Sequence, residues 1–124
     1  MTTIPHSAVV WAEIPVGDLT RAMGFYEALL GQTLTVDETG PNPTAMFAYD
    51  MKSGGTGGHL YPGKPSPGTG PTVHLGLPGT VEAAMAVCTA HGGTVVSPII
   101  TIPPGRFCYA TDPDGNSIGL FELA

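Results

Sequence analysis

The chain has 124 residues, a formal charge of −6 and four basic residues, Arg21, Lys52, Lys64 and Arg106. That length supports one domain with a real core and excludes two independent ones. The basic residues are scattered and form no cationic stripe to neutralise a phosphate backbone, so nucleic acid is not an expected partner.

Residues 1–7 read as a loose lead-in containing His6. They lack a basic region followed by an apolar one, and no apolar run reaches membrane-spanning length. A cytoplasmic protein with no membrane partner is expected. Ala8 to Pro15, with Val9, Val10, Trp11 and Ile14, suits a first strand. Gly17 turns the chain and Asp18 is placed to cap a helix. Leu19, Ala22, Met23, Tyr26, Leu29 and Leu30 recur at three- and four-residue steps, and Gly31 supplies a left-handed stop.

Gln32 to Val36 and Ala45 to Tyr49 read as the next two strands, separated by an acidic turn. Ser53 to Pro71 is rich in Gly and Pro, with His59, Leu60 and Tyr61 as a strand-like island. The run Gly54 to Gly58 lacks the Lys-Ser/Thr and the helix of a phosphate loop. It reads instead as part of a mobile loop, with Lys64 near its middle. Thr72 to Leu77 is a strand, Thr80 can cap, and Val81 to His91 forms a second helix stopped by Gly92 and Gly93. His91 suits a cap at that helix end. Thr94 to Ser97, Phe107 to Thr111 and Ser117 to Glu122 are three final strands, the last two joined by the turn Asp112-Pro113-Asp114-Gly115-Asn116. Cys88 and Cys108 have no CxxC spacing and read as small buried hydrophobes.

The order is β-α-β-β-β twice, offset by roughly 61 residues, which sets Ala22 against Ala83, Gly31 against Gly92 and Thr33 against Thr94. Two matching helices in such a repeat place the chain in the α+β class. The expected organisation is one domain: a first module over about 8–62, a Gly/Pro-rich link over about 63–71 and a second module over about 72–122.

EIPVGDLTRAMGFYEALLG near the start and ATDPDGNSIGLFE near the end resemble the vicinal oxygen chelate superfamily of glyoxalases, bleomycin resistance proteins and extradiol dioxygenases. The resemblance implies two βαβββ modules whose curved mixed sheets form a cup with the helices outside. It also implies a small-molecule ligand or substrate and a homodimer. Its enzymes hold a divalent metal through His, Gln and Glu, which leaves coordination sites open to a chelating substrate. Here the first-strand ligand position holds Trp11, its counterpart in the second module is Thr72, and the last-strand glutamate is replaced by Gly119. Only His59 is left for a fourth position. The resemblance therefore implies a branch without the usual ligands, and neither metal nor cofactor is expected.

Alternation puts Trp11 with Glu13 on one face of the first strand and Thr72 with His74 on one face of its counterpart. Glu13 and His74 then become pseudo-symmetric candidates for an acid–base pair in a lyase or isomerase. A buried polar pair without chemistry is the plainer alternative, and a relocated metal set of Glu13, His59 and His74 is another. The rings of Trp11, Phe47, Tyr49, Tyr61, Phe107, Tyr109 and Phe121, all on predicted strands, are divided between core and cup. With His59 and Thr72 they are the candidate ligand-binding residues. A non-catalytic protein that sequesters a cationic drug is the competing function, and the acidic balance suits it.

Overall fold

The computed structural model describes residues 8–50, 52 and 54–124; the predicted lead-in, with His6, lies outside them, as does Ser53. The first module runs β1 (Trp11–Val16), α1 (Leu19–Leu30), β2 (Thr35–Asp37), β3 (Thr44–Met46) and β4 (Gly57–Pro62). The second runs β5 (Val73–Gly76), α2 (Val81–Ala90), β6 (Thr94–Val95), β7 (Ile100–Ile102), β8 (Gly105–Thr111) and β9 (Ser117–Leu123). The fold is α+β with two mixed sheets, ordered β1-β4-β3-β2 and β5-β9-β8-β6, with β7 also on β8. In each module the first strand pairs in parallel with the last, β1 with β4 and β5 with β9. Among the described residues the two sheets share no ladder, and β1 and β5 each stand at an edge of their sheet.

Both helices form where their caps dictate. The Asp18 carboxylate accepts from the Arg21 N–H at 3.1 Å, and Gly31 at φ 64° closes α1. Thr80 caps α2 through the Ala83 N–H at 3.1 Å, and the His91 ring stands beside the Val87 carbonyl at the other end. α1 buries Ala22, Phe25, Tyr26, Leu29 and Leu30. Ile14, Val16 and Leu60 from one sheet and Leu75, Ile118 and Leu120 from the other complete the core. Cys88 and Cys108 are free and fully buried, and burial pushes the Cys88 thiol up to about 11. Among the described residues no helix is long and apolar enough to cross a membrane.

Several expected boundaries move. β1 runs through Pro15, which an edge strand tolerates because its missing N–H faces no neighbour. β3 ends at Met46, so Phe47 and Tyr49 lie outside the strands. Gly57 and Gly58 belong to β4 and are buried, not part of a mobile loop. They are glycines because a Cβ at Gly57 would strike the Tyr49 and Trp11 rings, and one at Gly58 the Ala12 carbonyl. β7 is an added strand, hidden in the sequence by Pro98, Pro103 and Pro104 on either side.

The modules are joined at the turn that follows β8. The Asp112 carboxylate is buried and accepts from the Tyr26 hydroxyl at 2.7 Å, the Asn116 amide at 2.9 Å, and the Asp114 and Asn116 backbone N–H groups, each at 2.9 Å. The Asn116 amide also donates to the Pro15 carbonyl at 2.8 Å, and Asp114 accepts from the Gly17 N–H at 3.2 Å. Burial, with Asp112 alongside, pushes the Tyr26 phenol well above its ordinary range, which keeps it a donor.

On the helix side of the second sheet, Arg106 bonds both oxygens of Glu82, at 2.8 and 3.0 Å, and Glu122 at 2.6 Å. Tyr26→Phe should cost about 1.5–3 kcal/mol, the range for a hydrogen bond to a charged group, and urea denaturation measures it. Hydrogen bonding to Arg106 holds Glu82 down to about 2 from an ordinary 4.5. Its contribution is therefore complete above pH 4.5 and lost as pH falls toward 2. Melting curves of Arg106→Gln should show a shallower acid limb over that window than the parent protein.

Candidate functional site

Because β1 and β5 alternate their side chains across a sheet, only one face of each can meet a cup, yet consecutive residues of both strands line one cavity. That cavity, of about 830 Å³, is walled by every residue from Trp11 to Pro15 and from Thr72 to Gly76. It runs along the two edge strands, and the link residues Ser66, Thr69 and Gly70 form part of its rim. Glu13 and His74 line it from opposite strands, together with Phe47 and Thr72. A second cavity of about 470 Å³ lies over the other face of the first sheet. Trp11, Glu13, His59 and Tyr61 line it, and the turn after β2 closes it. Trp11 and Glu13 are common to both.

Parallel pairing sets Glu13 directly opposite His59. Their side chains meet, with Nε2 of His59 3.2 Å from Oε1 of Glu13. The Trp11 indole N–H donates to Nδ1 of His59 at 2.9 Å. Glu13 is thus bonded to His59, not to its pseudo-symmetric counterpart His74. The Glu13 side chain is 65% exposed and that of His59 17%, so the pair offers a carboxylate to the cavities with the imidazole behind it. Tyr49 packs edge-on against Trp11, with ring centroids 5.6 Å apart, and Tyr61 packs edge-on against His59 at 6.2 Å. Tyr49 lines neither cavity.

His74 has different company. It meets Phe107 at 5.3 Å, Tyr109 at 5.8 Å and Phe121 at 5.9 Å, all edge to face, while Phe107 and Phe121 stack on each other at 5.5 Å. These three rings form an aromatic wall on the second sheet and line neither cavity. His74 lies over its register partner Gly119, where an added Cβ would collide with the imidazole. Phe47 is largely a packing residue, its ring 5.7 Å from buried Tyr26. The Thr72 hydroxyl is 2.6 Å from that of Ser117.

A divalent metal does not fit these residues. Trp11 and Thr72 hold two of the positions implied by the resemblance, and the third, Gly119, carries a ring where a glutamate would stand. The relocated set is not assembled either. An indole nitrogen can only donate, so Nδ1 of His59 is the acceptor and Nε2 bears the proton it shares with Glu13. No lone pair of that neutral imidazole is left for a metal. Among the described residues no three His, Cys, Asp or Glu side chains gather as a metal site.

Asp37 also lines the second cavity, a place that sequence reasoning missed. The Thr39 backbone N–H and hydroxyl both donate to its carboxylate and hold it below the ordinary range. The Asp-x-Thr spacing of a local turn marks that bond, though not its place under Glu13 and His59. No Lys or Arg lines either cavity.

The chain matches the family model of the Glyoxalase/Bleomycin resistance protein/Dioxygenase superfamily over residues 4–120. None of the curated proteins matches. Among solved structures, a glyoxalase/bleomycin resistance protein from Albidiferax ferrireducens T118 is 22% identical with a TM-score of 0.75, over 95% of this chain and 100% of that one. A glyoxalase/bleomycin resistance protein/dioxygenase family enzyme from Burkholderia phytofirmans PsJN is 14% identical with a TM-score of 0.68, over 92% and 97%. A glyoxalase I mutant from Zea mays is 22% identical with a TM-score of 0.66, over 91% of this chain but 46% of that longer one. At these identities the likeness is one of fold. A family match spanning nearly the whole length, on a fold of two βαβββ-type modules, makes this chain a member of the glyoxalase/bleomycin resistance protein/dioxygenase superfamily.

Proposed function

We propose that the chain binds a small organic molecule in the cavity between β1 and β5, without a metal, and that Glu13 is its polar anchor. The observation that carries this reading is the exposed Glu13 carboxylate, steadied by His59 and shared by both cavities. With no Lys or Arg in either lining, a ligand carrying a hydrogen-bond donor or a positive charge is favoured over an anion. The Trp11 ring beside the carboxylate adds a face for an apolar or cationic group.

As an enzyme, the site would work by proton transfer. Glu13 would take a proton from the ligand, and His74, on the opposite wall, would return one, in a lyase or isomerase reaction. Sequestration without chemistry, in the manner of a bleomycin resistance protein, is the second reading; it needs only the Glu13 anchor and the Trp11 face beside it. The expected homodimer belongs to the same reading.

Benzylammonium should raise the melting temperature and benzoate should not. Glu13→Gln should weaken benzylammonium binding about tenfold or more, as loss of a charge-assisted hydrogen bond requires. Equal binding to the variant would sink the anchor role. For an enzyme the same variant abolishes turnover of its substrate, whereas for a sequestering protein ligand returns unaltered after long incubation with either form. Untagged protein incubated with zinc, nickel or manganese and then dialysed should hold well under one equivalent. Chelator should leave its melting temperature unchanged.

A further inference from the structure

We infer that Trp11 is a positioning residue: its indole N–H fixes the tautomer of His59, and through it the orientation and acceptor character of Glu13. The role rests on Glu13 being the ligand anchor, but the device can be read without that. Indole nitrogen donates and never accepts, so the 2.9 Å contact has one polarity. It claims the Nδ1 lone pair, leaving the neutral ring its proton on Nε2, and the 3.2 Å contact then runs from Nε2–H to Oε1 of Glu13. One oxygen of Glu13 is thereby committed to His59. The other is left as a pure acceptor on a side chain that is two-thirds exposed. A histidine free to take either tautomer would present a lone pair to Glu13 part of the time and repel it.

The seat of the indole is built for this. Gly57 lies opposite Trp11 in the parallel pair, and a Cβ there would stand 2.9 Å from Cζ3 of the indole. Tyr49 lies over the same glycine, with its ring plane at 80° to the indole. A phenylalanine at position 11 keeps an aromatic ring but removes the donor together with part of the indole's bulk, so the tautomer of His59 in the parent protein, not packing, is the deciding readout.

The chain has one tryptophan, so ¹⁵N-labelled protein gives a single indole N–H signal. A nitrogen–nitrogen coupling across the hydrogen bond is expected between that indole and an unprotonated imidazole nitrogen of His59, with the His59 proton on Nε2. In Trp11→Phe, His59 should lose its single-tautomer signature, and benzylammonium binding should weaken part of the way toward that of Glu13→Gln. An indole that exchanges freely with water and shows no coupling, or a His59 protonated on Nδ1, would overturn the inference in the parent protein, whatever the variant does. A coupling present alongside unchanged ligand binding by Glu13→Gln would leave the tautomer lock standing and remove the anchor. Coupling present with the tautomer unaltered in Trp11→Phe would show that Trp11 does not set it.

Discussion

The buried carboxylate of Asp112 is the joint on which the molecule depends. A charge in that position is tolerable only because four donors meet it, and they come from both modules. Two are backbone N–H groups of the turn itself and fix its shape. The Tyr26 hydroxyl comes from the first helix, and the Asn116 amide reaches onward to the end of β1. Because of this joint, two sheets that share no ladder hydrogen bonds still hold their edge strands on either side of one cavity.

Within that frame each module solves the same packing problem in the same way. A large ring on the first strand stands opposite a glycine on the parallel last strand, Trp11 (with Tyr49) against Gly57 and His74 against Gly119. The outcomes differ chemically. Trp11 has an N–H and an imidazole to give it to, so the first module builds a polar relay. His74 is ringed by carbon faces, so the second builds an aromatic wall.

The helices, their caps, the repeat and the turn that holds Asp112 were legible in the sequence because they are local, and each is written within a few residues. The family was legible for the same reason, through two short stretches at the ends. The partner of Glu13 was not. Trp11 and His59 are 48 residues apart, and their meeting depends on a parallel register that no turn between the strands specifies. Pseudo-symmetry pointed to His74, but hydrogen bonding follows the ladder rather than the repeat. Gly57 and Gly58 were visible and misread: glycines inside a strand mark a close approach as often as a flexible loop. β7 escaped because prolines on both sides disguised it.

The rings over glycines also bear on how such a site could change. At Gly119 a glutamate would force His74 out of its present position, because even a Cβ meets the imidazole. At Gly57 the same holds for Trp11 and Tyr49. Exchanging this lining for a ligand set of His, Gln and Glu therefore needs paired substitutions. The single steps between them pass through a collision or an empty space, each of which costs stability in a packed interior. Substitutions at these positions are therefore coupled, each glycine constraining the ring it faces as that ring constrains the glycine.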